Sequence, residues 1–429
     1  MNQGIEKQLP NHSYAFKQPT FARRLEYEED GEFTDSRLQN AIIYIGLTLM
    51  VLTDTLSRPE EVLSFIKGVC RNPRVSISNF QRWMRQPDFQ EHLYMQQYGH
   101  EDVIDLFKGR RSKVGNDSST LTRKLCIIAL GGGQSGNIGA GVLRGMQEMG
   151  AYQRADGIVM VSAGIPNVMY TEAEQNPQGV KIYQDDNTQE GFFLKLPKGK
   201  KDAAYKLIQL FKKGPEDPIV DTTTVAEGMR NRRPLDVEKI RSSTRELIAV
   251  VMNSTTGEPS YIDLRHTSDP IKVEDAGICI PAISSVAGIE LDDGQMYVDA
   301  GSADPIPIKW AFDHGYTDVF IAANSPIIRG GGLLVNTFQS LILERLAKNP
   351  NYHYGEPAIK ALKKYPYTIA RAAADVNQII RENNPSRRVA VIEPCDNSMS
   401  GLLDLNRERM IVAYNDAVDF ARTTFSRYL

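Results

Sequence analysis

Six apolar residues, Leu125 to Leu130, run without a break into Gly131-Gly132-Gly133-Gln134-Ser135-Gly136. A short apolar run that stops at glycines suits a strand buried on both faces, followed by a tight turn. The same texture recurs downstream. Ile158 to Val161 stops at Ser162-Ala163-Gly164. Leu247 to Met252, Met296 to Val298, Val319 to Ala322 and Val389 to Ile392 are further buried-strand candidates. Helical patterns separate them, notably over 139–150, 333–348 and 357–382. Buried strands alternating with helices predict an α/β domain with a mostly parallel central sheet flanked by helices.

Upstream the pattern differs. Leu38, Ile42, Ile43, Ile45, Leu49 and Leu52 recur at roughly helical spacing, and Ser57-Arg58-Pro59-Glu60-Glu61 reads as the start of a second helix. Residues 76–84 and 101–107 suggest shorter helices, and 108–123 is charged, small and polar, as linkers are. The expected division is a helical N-terminal segment over 1–120 and a main α/β domain over 121–429. A length of 429 residues allows for it, because a single core stops growing at about 250–300 residues.

Composition removes several function classes. A net charge of -3 gives no global reason for a nucleic-acid partner. The most apolar run, 41–52, is too short to span a bilayer, and the polar N-terminus has no secretory h-region. A cytoplasmic location is expected, with export lacking an N-terminal signal left open. Cys70, Cys126, Cys279 and Cys395 have no metal-type spacing and are expected to be buried thiols in a reducing compartment.

Three places can carry chemistry. Gly131, Gly133 and Gly136 match the dinucleotide fingerprint, but the acid it needs, Asp156, precedes its strand instead of ending it. The same loop at a helix N-terminus can instead aim backbone N–H groups at a developing oxyanion, or be a plain turn. Ser162 follows a buried strand between small residues, where a sharp strand-to-helix turn exposes a nucleophile, though serine beside glycine is also a common turn. Asp299 ends the strand after the Asp292-Asp293-Gly294 turn and can be a base or a loop cap. None of the six histidines (12, 92, 100, 266, 314, 353) follows such a strand, so a Ser-His-Asp triad has no obvious base.

In this order the three features resemble the patatin-like phospholipases, with a bacterial-type patatin domain. That family carries a G-G-G-x-(R/K)-G loop, a G-x-S-x-G elbow and a late D-G-(G/A) motif. Leu130 to Gly136 with Ala140-Gly141-Val142-Leu143 resembles the loop and its helix. Asp156-Gly157-Ile158 leading to Ser162-Ala163-Gly164 resembles the elbow. Val298-Asp299-Ala300-Gly301, followed by Pro307 and Asp318 to Ala322, resembles the D-G-(G/A) segment. Met160 and Ser135 stand where the family has an elbow glycine and a basic residue. The likeness covers about residues 124–425.

It implies a three-layer fold and a lipid acyl-hydrolase of phospholipase A or lysophospholipase type. Ser162 would be nucleophile and Asp299 base, with an oxyanion hole from Gly131, Gly132, Gly133 and Gly136, and Gly164 and Gly301 in support. The substrate would be a phospholipid or another fatty-acyl ester, and no metal or organic cofactor would be needed. A second reading keeps the fold but takes the site as impaired, leaving a lipid- or protein-binding module, with 1–120 serving a protein partner or a dimer. Residues 190–213 hold seven lysines, the neighbours Phe192, Phe193 and Leu194, and an apolar stripe at Ala204, Leu207, Ile208 and Phe211. Such a segment can touch an anionic membrane, or pack its stripe on the domain.

Overall fold

A computed structural model describes residues 95–99, 105–108, 111–113, 120–189, 191–195, 218–326, 347–395 and 406–426. The helices expected before residue 95 and over 333–346 lie outside the described residues.

Nine strands form one sheet: β1 (Met95–Gly99), β4 (Leu125–Ala129), β5 (Gly157–Val161), β6 (Glu246–Asn253), β7 (Pro259–Asp263), β8 (Ile289–Glu290), β9 (Met296–Asp299), β10 (Asp318–Ala322) and β11 (Arg388–Pro394). A separate ribbon pairs β2 (Arg111–Lys113) with β3 (Thr120–Thr122). The five helices of nine residues or more among the described residues are α1 (Gly136–Glu148), α2 (Gly164–Glu172), α3 (Pro270–Ile278), α4 (Glu356–Glu382) and α5 (Arg407–Ser426).

The order β11-β10-β4-β5-β6 is parallel throughout. Its middle strands β4, β5 and β10 are buried at every position, which is why they read as unbroken apolar runs. Each buried Ile or Val there contributes about 1.5–3 kcal/mol by leaving water.

The sheet is nevertheless mixed, not mostly parallel. β1 joins β11 antiparallel, and β7 and β9 both join β6 antiparallel. β1 and β7 escape an apolar-run search for a physical reason, whereas β9 falls where the run Met296 to Val298 predicts a strand. β7 is only half-buried, and edge strands carry polar residues that central strands cannot. Residues 95–99, inside the segment expected to be helical, are a strand for the same reason.

Close helix packing explains several small residues. A Cβ on Gly141 would lie 2.5 Å from the Tyr414 carbonyl oxygen, and one on Gly145 would lie 2.6 Å from the Ala421 Cβ. Glycines four apart on α1 thus let α5 lie directly against it. Helix α3 begins with Asp269, whose carboxylate accepts from the Ile271 and Lys272 N–H groups, and Pro270 at the first turn.

Of the expected buried thiols, Cys126 and Cys279 are buried, whereas Cys395 is exposed where β11 ends; Cys70 lies outside the described residues. No helix among the described residues is long and apolar enough to cross a membrane.

Candidate active site

Strand β6 acts as a ruler. One of its edges carries β7 against Ile248 to Met252. The opposite edge carries β5 up to Val250, which pairs with Val161, and then β9 from Val251, which pairs with Asp299. The overlap of the β7 register with both others puts β5 and β9 on one edge. They arrive from opposite directions and end head to head, so Ser162 and Asp299, remote in sequence, meet.

Ser162 has φ of 51°, in the left-handed region that serine rarely enters. Its carbonyl accepts from the Ile165 N–H at 2.8 Å, closing the turn into α2. A strained serine on a strand-to-helix turn is how a hydroxyl is pushed out above a sheet. Two glycines make room for it. A Cβ on Gly164 would lie 2.3 Å from the Ala129 carbonyl oxygen, and one on Gly131 would lie 2.5 Å from the Ser162 Cβ. Met160 lies within β5 and is fully buried, so no glycine is needed at that position.

Asp299 is 7% exposed. Burial pushes its carboxyl up to about 6, against hydrogen bonding from the Ser162 hydroxyl and the Gly301 N–H, which favour the charged form. The Gly301 N–H donates to Oδ1 at 2.7 Å, and the Asp299 N–H donates to the Cys279 carbonyl at 3.0 Å.

The glycine loop is held open by Ser135 and by Asn324, a residue not singled out from sequence. The Asn324 amide, after β10, donates to the carbonyls of Leu130 at 2.6 Å and Gly131 at 3.3 Å. Ser135 donates its hydroxyl at 2.7 Å and its N–H at 3.1 Å to the Gly132 carbonyl. Thus the residue at the family's basic position closes the loop. Gly132 and Gly133 have φ of 156° and 56°, and their N–H groups meet no acceptor among the described residues. Gly136 starts α1 against the elbow, with its would-be Cβ 2.6 Å from the Ala163 Cβ. Tyr183 braces the elbow beside Gly136, its phenol donating to the Ala163 carbonyl at 3.2 Å.

Ser162 and Gly133 open on a cavity of about 40 Å³ whose walls are mostly apolar, including Pro166, Tyr170, Ile182, Val225 and Ile278. Phe193 belongs to this wall and is buried, so that member of the lysine-rich stretch faces the protein; residues 196–213 lie outside the described residues. Among the described residues no histidine lines the cavity and no group of side chains could hold a metal ion. Asp156 accepts from the Leu125 N–H at 2.8 Å, where β4 begins, at the opposite end of the sheet from the glycine loop. It is in no position to serve a dinucleotide at that loop.

No protein-family model and no curated protein sequence matches the chain. Among solved structures, that of VipD from Legionella pneumophila superposes with a TM-score of 0.29 at 10% identity, over 69% of this chain and 73% of that one. So loose a superposition decides nothing about activity, which has to be read from the residues.

Proposed function

We propose that this chain is a lipid acyl-hydrolase of phospholipase A or lysophospholipase type, working through Ser162 and Asp299. The observation that carries the reading is the head-to-head meeting of β5 and β9, which sets a strained serine against a buried carboxylate. The mostly apolar walls beside Ser162 suit the acyl carbons next to an ester, which is as much of a chain as a cavity of about 40 Å³ takes in.

In this reading Ser162 Oγ attacks the ester carbonyl while its proton passes to Asp299. The Gly132 and Gly133 N–H groups, at the N-terminus of α1, stabilise the tetrahedral oxyanion. Asp299 returns the proton to the leaving alcohol, then takes one from the water that attacks the acyl-enzyme and passes it to Ser162 Oγ as the C–Oγ bond breaks and the free acid leaves. No histidine is required, since one carboxylate serves both halves.

An alkyl fluorophosphonate tests this, because it traps activated serines. One adduct by intact mass, absent in Ser162→Ala, is expected; a folded wild type that stays unlabelled in the presence of lipid vesicles overturns the reading. The labelling rate also carries the base's protonation state. Asp299 must be charged to accept a proton, so the rate should climb roughly tenfold per pH unit below about 6 and level off above it. A profile flat from pH 4 to 8, run at those buffer values with roughly constant ionic strength, would remove Asp299 as the base.

A further inference from the structure

Two residues that line the cavity beside Ser162 each carry a buried polar atom with no hydrogen-bond partner among the described residues. Thr222 occupies the capping position before the helical turn Thr223–Glu227, yet its side chain makes no cap bond. Its hydroxyl is buried with no hydrogen-bond partner. Asn187 donates its amide to Gln134 Oε1 at 2.9 Å, which leaves its own Oδ1 buried and without a partner. Each residue is 1% exposed and each lines the cavity with Ser162.

Other polar residues of the wall are paired. Asn167 donates to the Gly136 carbonyl at 2.7 Å, and Asn176 donates to the Ala140 carbonyl at 3.0 Å and accepts from the Tyr414 hydroxyl at 3.0 Å. Tyr170 donates to the Arg233 carbonyl at 2.5 Å. The two orphans are therefore particular to their positions, and leaving such groups unpaired is costly unless a ligand completes them.

The chemistry of the pair narrows the ligand. Asn187 Oδ1 only accepts, so its partner must donate. The Thr222 hydroxyl donates or accepts. A carboxylate or phosphate oxygen has nothing to give Asn187, and among the described residues no lysine or arginine lines the cavity. A neutral hydroxyl satisfies both.

Resting on the reading of Ser162 as an ester-cleaving nucleophile, we propose that this cavity selects substrates carrying a free hydroxyl, bonded by Thr222 and Asn187 within otherwise apolar walls. That hydroxyl has two chemical sources, a hydroxylated acyl chain or the glycerol half of a partly deacylated lipid.

The test uses the full chain carrying Ser162→Ala, so that binding is read without turnover. One arm compares dodecanoic acid with its mid-chain and terminal hydroxylated forms; the other compares glycerol monododecyl ether with dodecyl methyl ether. Affinities come from calorimetry or thermal shift. In one arm the hydroxylated ligand should bind about tenfold more tightly than its plain counterpart. Adding Thr222→Val, which keeps the shape, should erase that preference, and Thr222→Ser should retain it.

The arm that shows the preference names the source. Equal binding in both arms, or a preference untouched by Thr222→Val, overturns the proposal and means that water completes the two groups. Fluorophosphonate labelling of the wild type separates the two failures. Labelling without hydroxyl preference sinks only the selectivity, and preference without labelling sinks only the hydrolase reading.

Discussion

Asp299→Asn is expected to abolish useful hydrolysis and to stabilise the fold. Asparagine cannot take the serine proton, and loss of a general base costs about 10²–10⁴ in rate. The same side chain can still accept from the Gly301 N–H, so the loop should keep its geometry.

Stability moves the other way because the native carboxyl is buried. Its folded value of about 6 lies above the ordinary 3.8, so the folded state holds the proton more tightly than the unfolded chain does. Stability is therefore fully present below pH 3.8 and is lost as pH rises through about 6. A shift of about two units corresponds to roughly 3 kcal/mol, an upper bound on what the neutral amide recovers above pH 7. The variant should melt several degrees higher than wild type at pH 8 and at nearly the same temperature near pH 4, by calorimetry at both values. A variant that melts lower at pH 8 would show that the charged carboxylate stabilises the fold and is not tuned for catalysis.

Gly131→Ala should cost activity out of proportion to stability. The new methyl would sit 2.5 Å from the Ser162 Cβ and 3.2 Å from its Oγ, with the Val161 carbonyl oxygen at 3.3 Å. Something must shift, and the neighbour is the strained serine itself. Displacing a nucleophile by about 1 Å costs on the order of 10²-fold. Fluorophosphonate labelling should fall by at least that factor while circular dichroism stays native. Gly150→Ala is the control. It replaces a glycine of positive φ, 66°, unlike Gly131, and nothing lies within 4 Å of the added methyl. It should lose about 1–2 kcal/mol to backbone strain and label at the wild-type rate. Equal labelling of both variants would mean that the glycine loop does not pack on the nucleophile in solution.

Much of the α/β layout was legible because burial leaves a local mark. β4, β5, β10 and β11 are apolar nearly throughout, so the run Leu125 to Leu130 announces a strand without knowledge of its neighbours. The turn before β9 is likewise local, since Gly294 has φ of 73° there. What escaped was set by partners. β1 takes its pairing from β11, far along the chain, and β7, though the hairpin neighbour of β6, is only half-buried and leaves no apolar run; Asn324 and Asn187 serve the glycine loop only because β10 and the turn Ile182–Asp186 bring them there. An asparagine in a loop carries no local sign of which carbonyl it will meet.

By itself the sequence determined which segments had to be buried strands and which residues could do chemistry at their ends: the glycine loop, Ser162 and Asp299. Hydrophobic runs and small-residue turns are properties of neighbours along the chain, so they need no fold to be read. Only the tertiary structure decided that β5 and β9 stop head to head along β6, which joins the serine to the aspartate. It also decided that burial pushes the Asp299 carboxyl up, and that Thr222 and Asn187, each with a buried polar atom unpaired among the described residues, line the same cavity as Ser162. Those are properties of register and of dielectric surroundings, and neither exists until distant segments have packed.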